Sequence, residues 1–148
     1  MKIKFEKNVI GCLFAITLLL LTIHSAAQSS KESNEKTVRA VYTAYEKKDW
    51  SMLSSLFAAG FTFTSPVDDH IDIKEYKVRC WPNSANIKSF NIDKLVVDGD
   101  DAFVMYHGWT MHGKEMCNTE YFKLKDGKIK AFTCFFGPGV SYPNNEKK

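Results

Sequence analysis

Residues 114–137 read KEMCNTEYFKLKDGKIKAFTCFFG. Two apolar-alternating runs, Glu115–Leu124 and Ile129–Phe136, flank Lys125-Asp126-Gly127, and an Asp-Gly pair between such runs is a strong short-range hairpin signal. Glu120 stands in the middle of the first run among aromatic residues, so its carboxylate faces either solvent or a cavity. The register of the hairpin decides what shares its face, because a one-residue slip turns every side chain over. A two-residue Asp126-Gly127 turn pairs Glu120 with Thr133. A three-residue Lys125–Gly127 loop with a glycine bulge pairs Glu120 with Phe132 and puts Cys134 and Phe136 on its face. In neither register do Cys117 and Cys134 lie opposite each other, which argues against a disulfide between them.

Further strands precede the hairpin. Ile87–Val97 turns at Asp98-Gly99-Asp100 into Ala102–Met111, which turns near Gly113. Phe61-Thr62-Phe63-Thr64 alternates as an earlier strand ended by Ser65-Pro66. Helices occupy the N-terminal half. Ser29-Ser30-Lys31-Glu32 has capping-box spacing, and a helix follows to about Lys48 with Val38, Val41, Tyr42 and Tyr45 as its apolar stripe. Asp49 caps a shorter helix that buries Leu53, Leu56 and Phe57 and stops at Gly60. A Val67–His70 loop leads to a third helix, Ile73–Cys80, closed by Trp81-Pro82. Three helices followed by antiparallel strands predict an α+β fold with the helices on one face of a curved sheet.

At the N-terminus, Lys2, Lys4 and Lys7 precede an apolar run from Val9 to Ile23, and Ser25-Ala26-Ala27 offers small residues for cleavage before Gln28. This is the pattern of a signal peptide, residues 1–27, on an exported protein, periplasmic or secreted, with no membrane attachment after cleavage. The remaining 121 residues suit one domain. Removing Lys2, Lys4, Lys7 and Glu6 from 20 basic and 17 acidic residues leaves 17 and 16, a net charge of +1. That balance carries no nucleic-acid footprint. Cys80, Cys117 and Cys134 have no zinc-site spacing, and no metal site is expected.

The run VRAVYTAYEKKDWSMLSSLFAAGFTFTSP, together with the closing EYFKLKDGKIKAFTCFFG, resembles the nuclear transport factor 2-like superfamily, which includes SnoaL-like polyketide cyclases and ketosteroid isomerases. The shared features are a long helix, an Asp-capped second helix with a Leu-Phe pair (Leu56-Phe57), a strand ending near proline (Pro66) and the Asp-Gly-Lys-Ile hairpin. The resemblance covers the chain from Gln28 onward. It implies a cone-shaped, curved antiparallel sheet wrapped around three N-terminal helices and an apolar pocket, with a homodimer through the outer sheet face.

Carried over position by position, the resemblance puts Ser65 where the isomerases have their carboxylate base and Val41 where they have a tyrosine donor. Tyr42 is about 100° around the helix from that position. Glu120 occupies the third isomerase position, where a protonated acid can donate a hydrogen bond. The chain thus resembles an isomerase in shape while lacking two of its three groups. With Glu120 inward, Met116, Asn118 and Phe122 share its face. The same matching brings Phe103, Met105, His107 and Trp109 into the pocket and leaves Tyr106, Tyr121 and Phe135 outside.

His107 and Glu120 are therefore the first candidate acid–base pair, since each would shift the other's pKa. Asp68 and His70, at the expected rim, are the second; the plainer reading of Asp68-Asp69-His70 is a loop with local turns. Ser65, Trp81, Phe103, Met105, Trp109, Asn118, Phe122, Phe132, Cys134 and Phe136 complete the candidate ligand wall, although many of these aromatics equally suit ordinary core. The expected function is binding of a small apolar or aromatic molecule, with cofactor-free lyase or isomerase chemistry on His107 and Glu120. The alternative is a non-catalytic interaction module with a filled pocket.

Overall fold

The first helix supplies the frame. In the computed structural model, which describes residues 28–136, helix α1 spans 28–47. Val38, Val41, Tyr42 and Ala44 are all buried, the 3.6-residue stripe expected of a helix laid on a sheet. Two polar side chains fix its position. Asn34 donates to Gly99 O at 2.9 Å and Thr37 donates to Gly127 O at 2.9 Å, so α1 is tied to two of the hairpin turns of the sheet. Residues 28–30 are already helical. Ser29 is therefore not an N-cap, and the capping-box expectation is corrected. The expected signal segment, 1–27, lies outside the described residues.

Lys48, at φ 59°, breaks α1. Asp49 then caps α2 (Trp50–Ser55), accepting from Met52 N at 2.8 Å. This helix is shorter than expected. Phe57 already belongs to strand β1 (Phe57–Ser65), and Gly60 does not stop a helix. At φ +67° it sits inside the strand, where the register against the neighbouring strand shifts. The Val67–His70 loop is likewise replaced by a strand, β2 (Asp68–Ile71), which pairs back on β1. Helix α3 (Ile73–Arg79) follows, capped by Asp72, and a 3₁₀ turn, Trp81–Asn86, carries Pro82 in its first turn. So α3 comes after two strands; the three helices do not all precede the sheet.

Four long strands complete the described residues: β3 (Ile87–Asp98), β4 (Asp101–Thr110), β5 (Glu115–Lys125) and β6 (Lys128–Phe135). The sheet order is β2-β1-β6-β5-β4-β3. All pairings are antiparallel except β1–β6, which is parallel. The expected all-antiparallel sheet is thus a mixed one, open at β2 and β3. Register shifts in the β1–β6, β3–β4 and β5–β6 ladders bend and twist the strands, and the sheet curls around α1 and α3.

The deciding hairpin adopts neither expected register. Asp126 and Gly127 both have positive φ, 51° and 72°, and join Lys125 to Lys128 as a two-residue turn. The bulge lies farther along, where Lys123 pairs with Ala131 but Leu124 with Ile129. Lys130 is the extra residue. Its displacement places Glu120 opposite Cys134, two residues from the bulged-loop register. Because side chains alternate with period two, this shift keeps the expected face: Phe132 and Cys134 point the same way as Glu120.

Candidate functional site

Between the concave sheet face and the helices lies a cavity of about 770 Å³. Glu120 is set in its wall, only 5 % exposed. Three elements converge on its carboxyl group. Tyr42, from α1, donates to Oε2 at 2.6 Å. Tyr106, from β4, donates to Oε1 at 2.9 Å. Cys134, directly opposite on β6, places Sγ 3.4 Å from Oε1. Asn118, two residues before Glu120, donates to the Tyr106 hydroxyl at 3.2 Å and braces it.

The tyrosine rings are held by Phe90, which meets Tyr42 at 5.2 Å and Tyr106 at 5.1 Å between centroids, both edge to face. Gly108 makes this packing possible. A Cβ there would lie 3.1 Å from Phe90 Cδ1 and 3.2 Å from Met116 Cγ.

Burial governs the electrostatics. Removal from water raises the Glu120 pKa, while the hydrogen bonds from Tyr42, Tyr106 and Cys134 pull it back in part. Burial and the neighbouring Glu120 charge push both tyrosines well above the ordinary phenol range, so they remain donors. A carboxyl group raised toward neutrality and flanked by hydroxyls can give or take a proton at a bound molecule.

A second polar group sits at the rim. Ser65 donates to Asp68 Oδ2 at 2.8 Å, and Arg79 Nη2 lies 2.6 Å from Asp68 Oδ1. Cys80 lies beside them, its thiol pushed up to about 11 by burial and then by the Asp68 charge. Asp68 is therefore a nearly buried, charge-paired carboxylate. Among the described residues no cluster of His, Cys, Asp and Glu is arranged to hold a metal ion.

Of the expected wall, Ser65, Asp68, Asn118, Glu120, Phe132, Cys134 and Phe136 line the cavity. The β4 expectation is wrong by one residue. Ala102, Val104 and Tyr106 are buried, whereas Phe103 is 51 % and Met105 44 % exposed. His107 and Trp109 share the outer face with them. His107 Nδ1 sits 2.5 Å from Asp93 Oδ2, at a β3 bulge, and Nε2 lies 3.9 Å from Glu115. It does not meet Glu120, and the expected His107–Glu120 pair does not exist.

His70 also points away. It is exposed, at φ 49°, and engages Asp69. Trp81 stands behind the wall against Tyr45 and Trp50, and Phe122 is fully buried under it, stacked on Phe132 at 4.5 Å.

Tyr106 is the residue that sequence reasoning misplaced most consequentially, and Tyr42 reaches the carboxyl group despite standing one position from the expected tyrosine. A physical signal for β4 was present. On the concave side of a bent sheet side chains converge, so the inner set is the smaller one: Ala102, Val104 and Gly108 around one tyrosine. The bulky Phe103, Met105 and Trp109 fit the splayed outer side.

A family profile described as the SnoaL-like domain matches residues 38–132. The chain belongs to the SnoaL-like family. Its match runs from within α1 into β6, so it includes Tyr42, Tyr106, Asn118 and Glu120 but stops short of Cys134. Solved structures agree on the fold, which is nuclear transport factor 2-like. An NTF2-like protein of unknown function from Cytophaga hutchinsonii superposes with a TM-score of 0.59 at 18 % identity, covering 71 % of this chain and 90 % of that one. A candidate ketosteroid isomerase from Kribbella flavida gives 0.61 at 14 % identity, covering 80 % and 91 %. An LEH-like epoxide hydrolase from M. tuberculosis gives 0.59 at 12 % identity, covering 72 % and 84 %. No curated protein sequence matches the chain. At such identities the likeness concerns the backbone alone, and the SnoaL-like fold hosts more than one chemistry.

Proposed function

We propose that this SnoaL-like protein binds a small apolar or aromatic molecule in its cavity, with a polar group of that molecule against Glu120, and acts on it as a cofactor-free isomerase or lyase. One observation carries the reading: a buried carboxyl group in the wall of a roughly 770 Å³ cavity, held between the Tyr42 and Tyr106 hydroxyls. A volume of this order suits a drug-sized ligand, and apolar walls with a few convergent polar groups are the usual form of such sites. The acid–base role assigned to His107 passes to Glu120 alone, with Tyr42 and Tyr106 as the hydroxyl donors that orient its carboxyl group. The test is a thermal-shift screen of aromatic and alicyclic compounds, since ligands of the native state raise its apparent stability. Hits that bind and react equally with wild type and Glu120→Gln exclude Glu120 from the site.

Export, with cleavage before Gln28, remains our proposal for the N-terminal segment; mass spectrometry of the protein from its native host gives the mature terminus. We also propose a homodimer through the outer sheet face. Val96, Phe103, Met105 and Phe135 are each 44–55 % exposed there, and Val96, Phe103 and Tyr121 are directly paired across β3, β4 and β5. A contiguous apolar face of this kind favours association. Phe103→Glu is expected to yield monomers in light scattering; a wild type that is already monomeric excludes the dimer.

A further inference from the structure

A second pair of tyrosines lines the same cavity, on the side of the helices. Tyr45 from α1 and Tyr76 from α3 meet with their hydroxyl oxygens 2.6 Å apart. Two hydroxyls bring two protons, and the bond between them uses one. Neither oxygen makes another hydrogen bond among the described residues. Ring packing holds both side chains in place. Tyr76 is 1 % exposed and is packed edge-on by Phe57, Phe61 and Phe63, while Tyr45 is wedged against Trp81 and Phe90. A buried hydroxyl proton without an acceptor is costly, and here the open side of the pair is the cavity.

We propose that the Tyr45–Tyr76 pair is a ligand subsite that donates its spare hydroxyl proton to an acceptor oxygen, a ketone or aldehyde carbonyl, on the apolar molecule. The inference rests on the pocket reading above and adds the chemical class of the ligand. Burial raises both phenols far above neutral pH, so the pair stays a neutral donor. It differs in kind from the Glu120 end, where Tyr42 and Tyr106 already spend their protons on the carboxyl group. A carbonyl compound would therefore find its unused donor at Tyr45–Tyr76 even when Glu120 is ionised.

The arrangement has an unusual consequence. Removing either hydroxyl frees the other, which keeps a proton of its own, so a donor survives in each single variant. Only the double variant lacks one. The experiment uses two probes with the same ring system, 2-acetylnaphthalene and 2-ethylnaphthalene, titrated into wild type, Tyr45→Phe, Tyr76→Phe and the double variant. Phenylalanine keeps every ring contact, and urea melts verify folding.

The ketone is expected to lose less than threefold in affinity in either single variant and about tenfold in the double, the loss of about one hydrogen bond. The hydrocarbon should change less than twofold throughout. The carbonyl stretch of the bound ketone should rise only in the double variant. Equal losses for ketone and hydrocarbon, or an unchanged ketone affinity in the double variant, overturn the subsite and leave the pocket standing. If neither probe binds wild type, the pocket reading falls with it.

Discussion

The two faces of strands β4 and β5 carry nearly the same kinds of residue and do opposite things with them. Inside, Tyr106 and Glu120 make a buried carboxyl–hydroxyl cluster and Phe122 is fully enclosed. Outside, one residue along, His107 engages Asp93 and Glu115 beside water, and Phe103 is half exposed. Polar chemistry does not separate the faces, since each has an acid, an aromatic and a polar partner. What separates them is solvent. Water screens the outer polar contacts. Its absence inside raises the Glu120 pKa and makes each hydrogen bond to that carboxyl group obligatory.

The contrast is broken most strongly in the packing. Phe122→Ala is expected to cost about 3–5 kcal/mol, the range for deleting a large buried aromatic. Phe103→Ala, on the adjacent strand, should change monomer stability by about 0.5 kcal/mol or less. Urea unfolding of both variants at low protein concentration measures the gap, and comparable losses would mean that the outer face is not solvent-exposed.

Next in size is the hydroxyl on Glu120. Tyr42→Phe keeps the ring against Phe90 and leaves Glu120 Oε2 without its donor, for an expected cost of about 1–3 kcal/mol near neutral pH. The same melts should show a cost that shrinks as the carboxyl group is protonated. A variant as stable as wild type at pH 7 contradicts the network.

The pH dependence sharpens the comparison from the Glu120 side. Burial holds the folded pKa of this group above its ordinary value of 4.5, so the folded state binds the proton more tightly than the unfolded chain. The stability this contributes is fully present below pH 4.5 and is lost as pH rises through the folded value. Glu120→Gln removes the dependence. The stability of wild type minus that of the variant should therefore fall as pH rises above 4.5; a difference that stays flat refutes the shift.

The smallest effect belongs to the outer cluster. His107→Asn should cost no more than about 1 kcal/mol, because exposed ion pairs contribute little. That cost should diminish in 1 M salt. Cavity ligands should bind the variant as they bind wild type. A changed ligand affinity would show that the outer face reaches the pocket.

Much of this molecule was legible in its sequence. The α1 stripe of Val38, Val41 and Tyr42, the Asp49 cap, and the Asp126-Gly127 turn are local patterns, each set by a helix or strand period or by one backbone conformation, and the structure repeats them. The inward placement of Glu120, Asn118, Phe132 and Cys134 also followed, since a two-residue change of register preserves the face. The errors lie where distant contacts decide. Val67–His70 has loop composition, but from Asp68 onward it becomes an edge strand because β1 offers it a ladder. Gly60 reads as a helix stop, yet it is a bend in β1, where a Cβ would lie 2.8 Å from Lys130 Nζ. On β4 both alternating sets contain aromatics, so alternation could not choose between them.

By itself, then, the sequence determined the first helix, the Asp49 cap and the closing hairpin, through short-range periodicity and the capping and turn chemistry that each segment carries with it. The family resemblance added the inward placement of the Glu120 carboxylate. Only the tertiary structure decided which partners that carboxylate has. Tyr42 reaches Glu120 because hydrogen bonds to Gly99 and Gly127 fix where α1 lies across the sheet. Tyr106 replaces His107 because sheet curvature and the Trp109–Glu115 pairing set the parity of β4. Tyr45 meets Tyr76 because the curled sheet brings α1 and α3 together over one cavity.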